Sequence, residues 1–134
     1  MTEGFEIVRY DHKAMGQTDP DIRFLNQEIA DKATAFHSSF PQYQPTPLRR
    51  QKCLAQQDES YRFGLNAFKV LGGSFAIGRY IAQRLGRDIS ELPFQVMTSQ
   101  EIQKQLGQLT FVTATDGNHG RGVAWTANQL GQRS

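Results

Sequence analysis

The sequence predicts an α/β protein, and three features of its pattern support this fold class. Residues 67–85 carry apolar side chains at helical spacing. Residues 111–115 are rich in β-branched side chains, which indicates a short strand. Residues 116–122 form a glycine-rich turn that leads into a last helix at 123–130. A strand that passes through a glycine turn into a helix is typical of α/β folds.

The N-terminal half is predicted to contain helices on either side of a proline-rich segment. Residues 5–8 form either a short strand or an extended arm. A helix is expected over residues 19–38, because Pro20 suits a first helical turn and apolar residues recur at helical spacing. Three prolines make residues 40–48 an extended segment. Residues 48–57 allow another helix.

Turn-forming residues are expected to separate the remaining helices. Residues 58–65 are a loop candidate, since Asp, Ser and Gly favour turns. Gly86 is a suitable C-terminal stop for the long helix before it. Thr98 or Ser99 is expected to cap a short helix, which Gly107 ends.

The composition excludes several classes of protein. Of the 134 residues, 38% are apolar and 21% are charged, which is typical of a globular protein. The net charge of +2 comes from interspersed charges and argues against nucleic-acid binding. No apolar run reaches membrane-spanning length, and the N-terminus lacks a signal-peptide pattern, so a cytoplasmic location is expected. Cys53 is the only cysteine, which excludes an internal disulfide, and no metal site is expected.

The glycine-rich turn is a candidate ligand loop. Its sequence is Asp-Gly-Asn-His-Gly-Arg-Gly at residues 116–122. Glycines let the backbone approach a ligand closely, and the start of the next helix offers free N–H groups. An ordinary strand-to-helix turn is an equally good interpretation. The turn is not a Walker A loop, because no Lys-Ser or Lys-Thr follows it. It is also not the GxGxxG motif that binds dinucleotides.

Lys69 is the second candidate for chemistry. It lies between apolar residues at the start of the long predicted helix. Apolar surroundings favour the neutral amine that forms Schiff bases with carbonyl groups. A solvated surface lysine is the alternative interpretation.

Together these segments resemble the diaminopropionate ammonia-lyase family, which are pyridoxal-phosphate (PLP) enzymes of fold type II. The resemblance rests on DESYRFGLNAFKVLGGS at residues 58–74, TATDGNHGRGVAW at 113–125 and SFPQYQPTPL at 39–48. It implies an incomplete N-terminal portion of such an enzyme, with helices around a partial parallel sheet. Residues 1–66 would then form an N-terminal arm and part of the large domain, and residues 67–134 the start of the PLP-binding core and small domain.

The resemblance also implies roles for five residues. Lys69 would hold PLP as a Schiff base and then act as a base. Asn118 would hydrogen-bond the ring oxygen of the cofactor, and Gly117 belongs to the same binding loop. Phe68 would pack beside the pyridine ring, although an ordinary core position suits it equally. Asp116 would be an acid/base or substrate-orienting carboxylate on the face opposite Lys69.

The implied reaction is the α,β-elimination of 2,3-diaminopropionate to pyruvate and ammonia, in a parent enzyme that is a homodimer. His119 either contacts the cofactor pocket or caps its helix, and the cap is the expectation. Arg121 is expected to be a structural or phosphate-side charge, and Trp125 to pack in the core. Where this sequence has only Gln56 and Gln57 between Ala55 and Asp58, the family usually has the rest of a helix, a turn and a strand. It also has a phosphate-binding loop beyond residue 134.

These departures from the family pattern leave several interpretations open. The chain alone is expected to be an inactive fragment, or half of a split protein that needs its other half. Another fold type II lyase or dehydratase and a non-catalytic interaction module are the alternatives. An open sheet edge would also favour self-association.

Overall fold

The computed structural model describes residues 25–51, 54–115 and 117–134, and these residues are mostly helical. The expected strand or arm at residues 5–8 and Cys53 lie outside the described residues. In chain order, the elements are α1 (Gln27–Ser38), β1 (Leu48–Gln51), β2 (Leu54–Gln57), a 3-10 helix (Glu59–Gly64), α2 (Lys69–Arg84), a 3-10 helix (Ile89–Glu91), α3 (Phe94–Met97), α4 (Gln100–Leu106) and α5 (Asn118–Gln129).

Helix α1 begins later than the sequence pattern indicates. Asn26 has an extended backbone, and its side chain accepts a hydrogen bond from the Ile29 N–H at 3.0 Å. This is the capping arrangement that asparagine favours, and it starts the helix at Gln27. The predicted end near residue 38 is confirmed, whereas residues 19–24 lie outside the described part of the chain.

Strands β1 and β2 form an antiparallel hairpin, so the helix expected at residues 48–57 is wrong. The register pairs Leu48 with Gln57 and Gln51 with Leu54. Helix propensity predicts secondary structure only weakly, and tertiary contacts often overrule it. In the hairpin, the backbone N–H and C=O groups form hydrogen bonds between the two strands instead of within a helix. The hairpin is the only sheet among the described residues.

The strand expected at residues 111–115 is also wrong. The Phe111 N–H donates to the Arg133 carbonyl, and the Arg133 N–H donates to the Leu109 carbonyl, each at 2.9 Å. These two bonds make one parallel bridge between Thr110 and Arg133. A strand needs a partner along its length, and here the pairing stops after one bridge. The expected partial parallel sheet is therefore reduced to this bridge in the described residues, and Val112 beside it is 88% exposed.

Helix α2 confirms the long helix predicted at residues 67–85, with ends that differ by one or two residues. It is the longest helix described, and no helix in that part of the chain is long and apolar enough to cross a membrane. Gly86 follows it with a φ of 65°, as expected for a C-terminal stop. Its buried positions recur every three or four residues and are Val70, Gly73, Ser74, Ile77, Gly78, Ile81 and Ala82.

Two other turn predictions have different outcomes. Ser99 caps α4 by accepting from the Ile102 N–H, and Gly107 follows the helix with a φ of 69°, so both ends are confirmed. The loop expected at residues 58–65 is wrong in detail, because a 3-10 helix with an internal kink forms there. Asp58 caps it by accepting from the Ser60 N–H.

Helix α5 begins at Asn118, five residues before the predicted start at residue 123. Most of the glycine-rich turn is therefore the first part of a helix. Glycine inside a helix costs roughly 1 kcal/mol relative to alanine, which is why the pattern favoured a turn. Close packing against α2 explains why this helix contains glycine, because a Cβ on Gly122 would lie 2.9 Å from the Cα of Val70.

The buried core lies between these helices and contains a cluster of aromatic rings. Phe40 is 2% exposed, and its ring centroid lies 4.7 Å from that of Phe94 and 5.2 Å from that of Phe36. Trp125 of α5 stacks on Phe40 at 5.9 Å, which confirms its expected place in the core. The cluster connects α1, α3 and α5, and so it fixes the helix that carries Asn118.

Candidate functional site

The starts of α2 and α5 meet at one end of a packed helix pair. Val70, the second residue of α2, contacts Gly122 of α5 so closely that no side chain fits between their backbones. Lys69 directly precedes Val70, and Asn118 lies one turn, roughly 6 Å along the axis, before Gly122. The packing therefore brings the two predicted cofactor-binding residues to the same end of the pair.

Both helix starts lack a side-chain cap. Phe68 and Gly117 occupy the N-cap positions of α2 and α5, and neither supplies a capping side chain. The first N–H groups of a helix have no partner within the helix, and they favour negative charge. Gly117 has a φ of 67°, a conformation that glycine adopts without strain. This end of the helix pair therefore suits an anionic group.

Lys69 and Phe68 both face solvent. Phe68 is 61% exposed, so it lies outside the core that the described residues form. Lys69 is exposed as well, and no side chain among the described residues forms an ion pair with it. An accessible amine next to an accessible aromatic ring is an arrangement that can bind a planar aromatic aldehyde.

The structure describes the residues around Asn118 except Asp116. Asn118 is exposed, and its Oδ1 accepts a hydrogen bond from Nη1 of Arg121 at 3.5 Å. His119 is exposed and is not the helix cap, so that expectation is wrong. Asp116 lies outside the described residues, and its predicted role stays a prediction.

A buried ion pair stabilises the turn that precedes Lys69, and the sequence pattern did not reveal this pair. Arg62 is 7% exposed, and its Nε donates to Oε2 of Glu59 at 2.8 Å. Its Nη1 donates to the Gln44 carbonyl at 3.1 Å, and Thr46 donates to Oε1 of Glu59 at 3.0 Å. The pair therefore ties the proline-rich segment to the turn before α2. The spacing of Glu59 and Arg62 by three residues was the available signal.

His37 is a second buried group that the sequence pattern did not reveal. It is 8% exposed, and its Nε2 lies 3.0 Å from the Leu71 carbonyl and 3.1 Å from Oγ of Ser74. Burial lowers the pKa of the imidazole below 6.5, and the nearby charge of Arg62 lowers that pKa further, whereas the hydrogen bond to Leu71 raises it. His37 thus joins α1 to the first turns of α2.

We expect the free energy of unfolding to fall as the pH drops below about 6.5. The unfolded imidazole binds a proton in this range, whereas the folded His37, with its lowered pKa, binds one only at lower pH. The contribution of neutral His37 to the free energy of unfolding is complete above the pKa of the unfolded imidazole. This contribution is lost as the pH falls below that pKa. Urea unfolding between about pH 5 and 8 measures it.

His37→Gln should flatten this pH dependence, because it removes the buried imidazole. Equal slopes in the wild type and the His37 variant would contradict the assignment.

Comparisons with known proteins relate this chain to one group of enzymes. No protein-family model matches the sequence. The chain is 43% identical to the curated diaminopropionate ammonia-lyase of Salmonella typhimurium, over 96% of this chain and 35% of that protein. It also matches the crystal structure of the Escherichia coli diaminopropionate ammonia-lyase in apo form, with a TM-score of 0.73 and 43% identity. That match covers 87% of this chain and 32% of the other.

A further match is the E. coli enzyme in complex with an aminoacrylate-PLP azomethine reaction intermediate, with a TM-score of 0.68 and 41% identity. It covers 87% of this chain and 29% of the other. The alignment with the Salmonella protein extends over 141 positions, more than the 134 residues of this chain, so that relative has residues in the aligned stretch that this chain lacks. Their location between Ala55 and Asp58 stays a prediction. In sequence and in fold, the chain is related to diaminopropionate ammonia-lyases, and it spans about a third of their length.

Proposed function

We propose that the chain forms one wall of a PLP site and takes part in the α,β-elimination of 2,3-diaminopropionate. With one water, this reaction yields pyruvate and two molecules of ammonia. Because the chain spans about a third of its relatives, we propose that it acts only together with the remaining two thirds of such an enzyme. The observation that supports the proposal is the contact between Val70 and Gly122, which brings Lys69 and Asn118 to one end of a helix pair.

The residues at this end fit PLP, a planar aromatic aldehyde with negative charge. The amine of Lys69 would condense with the aldehyde carbon, which forms a C=N bond and releases water. The exposed ring of Phe68 would pack on the pyridine face. The Asn118 amide would hydrogen-bond the ring oxygen, and the uncapped start of α5 would favour the negative charge.

The reaction needs an electron sink and a base. PLP, when bound, accepts the electron pair that remains after the α-proton leaves. Once substrate takes its place, the free amine of Lys69 would hold the α-proton on one face of the substrate. Asp116 would serve the opposite face, so that both isomers of the substrate could react. The matched relatives carry the diaminopropionate ammonia-lyase name, which favours this reaction over that of a dehydratase.

We expect PLP to label Lys69 in preference to Lys104 when the purified chain is incubated with PLP and reduced with borohydride. Lys104 is an exposed lysine on α4 and serves as an internal reference for nonspecific reaction with amines. Mass spectrometry of the labelled peptides gives the ratio, and the visible absorption of the Schiff base gives an independent measure.

Two matched variants test the site. Lys69→Ala should lower the visible band to the level of nonspecific reaction with amines, and Lys104→Ala should leave it nearly unchanged. Equal labelling of the two lysines in the wild type, or a band of wild-type strength in Lys69→Ala, would show that Lys69 is not a PLP site in this chain.

A further inference from the structure

The turn of residues 62–66 leads into α2 through backbone conformations that most side chains disfavour. The φ angle is 48° at Phe63, 70° at Gly64 and 54° at Asn66. Glycine adopts this left-handed region freely, and asparagine tolerates it. For a phenylalanine it is strained, and such a residue keeps this conformation only where its surroundings enforce it.

The surroundings of the Phe63 ring are aromatic and nearly closed to solvent. The residue is 3% exposed, and its ring centroid lies 5.0 Å from that of Trp125 and 5.8 Å from that of Phe40. Trp125 belongs to α5, the helix that begins at Asn118. The ring of Phe63 therefore connects the turn before Lys69 to the helix that carries the other predicted cofactor contact.

Neighbouring hydrogen bonds hold the turn from its other side. Arg62 is fixed by Glu59 and by the Gln44 carbonyl. The Leu65 N–H donates to the Arg62 carbonyl at 2.8 Å. The backbone at Phe63 is thus fixed both by the ring and by the residue before it, so the strain cannot relax without breaking one of these contacts.

We propose that Phe63 is a positioning residue: its ring, held between Phe40 and Trp125, maintains the strained turn that presents Lys69 beside the start of α5. The proposal rests on the proposed role of Lys69 in binding PLP. Phe63 does not itself contact the cofactor, and it acts by fixing where the amine lies. Misplacing a reacting group by about 1 Å slows its reaction on the order of a hundredfold.

The test compares the ratio of Lys69 to Lys104 labelling by PLP, and its pH profile, in three variants of the full chain. Phe63→Leu keeps an apolar side chain but loses the aromatic contact. Trp125→Leu removes the α5 side of the contact and leaves the turn sequence intact. Ile102→Ala is the control, since Ile102 is 2% exposed on α4 and its truncation destabilises the core outside the turn.

We expect Phe63→Leu and Trp125→Leu each to lower the labelling ratio about tenfold or more, and Ile102→Ala to leave it unchanged despite a comparable loss in Tm. Trp125 is the only tryptophan of the chain, so its emission reports loss of the contact in Phe63→Leu independently of PLP.

The outcomes separate the two proposals. A wild-type ratio in folded Phe63→Leu and Trp125→Leu overturns the positioning role while the PLP site stands. A fall of equal size in Ile102→Ala overturns it as well, because general destabilisation would then explain the effect. A wild-type chain without preference for Lys69 overturns PLP binding at Lys69 in this chain and, with it, the positioning role.

Discussion

Replacing Arg62 by alanine is expected to lower the free energy of unfolding by about 3 kcal/mol. The guanidinium of Arg62 is buried and donates to Glu59 at 2.8 Å, and the Glu59 side chain is only 22% exposed. Removing one partner of a buried pair leaves the other charge desolvated, which is the main part of the cost. The Gln44 carbonyl also loses its donor.

Urea unfolding of Arg62→Ala measures this effect, and Arg87→Ala is the matched control. Arg87 forms an ion pair with Glu91 at 3.2 Å, in which the side chains are 38% and 52% exposed. An exposed pair contributes about 0–1 kcal/mol, so this variant should unfold almost as the wild type does.

A second comparison separates the buried charge from the lost contacts. If the cost in Arg62→Ala comes from the unpaired carboxylate, adding Glu59→Gln should recover part of the stability. A double variant that is less stable than Arg62→Ala would contradict this explanation.

The features that the sequence predicted correctly are local ones. Ser99 caps a helix with its own side chain, and Gly86 and Gly107 end helices because glycine adopts a positive φ at little cost. The apolar spacing of α2 likewise depends only on residues within the helix. Signals of this kind can be identified from a few neighbouring residues.

The predictions that failed depend on distant partners. Residues 111–115 have a strand-like composition, but pairing is limited to the bridge between Thr110 and Arg133. The hairpin β1–β2 depends on register between its two strands, which propensity does not report. The early start of α5 depends on Val70, which is 52 residues before Gly122 in the sequence.

The candidate site likewise combines features that the local sequence predicts with features that depend on distant contacts. Lys69 and Asn118 were predicted as site residues from contiguous motifs, and their roles stay predictions. Their location at the same end of the helix pair follows from a contact between Val70 of α2 and Gly122 of α5 that the sequence pattern does not show. The burial of Arg62, His37 and Phe63 was also not apparent, because charged and aromatic residues occur both inside and outside proteins.

Gly122 of the glycine-rich segment packs against the backbone of α2. Gly122→Ala is expected to destabilise the chain by about 1–3 kcal/mol, the usual cost of overpacking. The added Cβ would lie 2.9 Å from Cα and 3.3 Å from N of Val70, which are backbone atoms that cannot rotate away. Alanine favours a helix over glycine by roughly 1 kcal/mol, and the clash must exceed that gain.

Gly72→Ala is the matched control, with an effect of opposite sign. Gly72 also lies inside a helix, but apart from its neighbours and the backbone of its own helix, no atom lies within 4 Å of the position that its Cβ would occupy. Helix propensity should then act alone and stabilise the chain by roughly 0.5–1 kcal/mol. Thermal and urea unfolding of the two variants measure the difference.

Because Val70 adjoins Lys69, the same clash should also affect the site. Moving α5 away from α2 would separate the two helix starts, so the preference of PLP for Lys69 over Lys104 should fall in Gly122→Ala and persist in Gly72→Ala. If Gly122→Ala is destabilised but keeps the full preference, the helix contact stabilises the fold without positioning the site, and Lys69 must be placed by the turn before it.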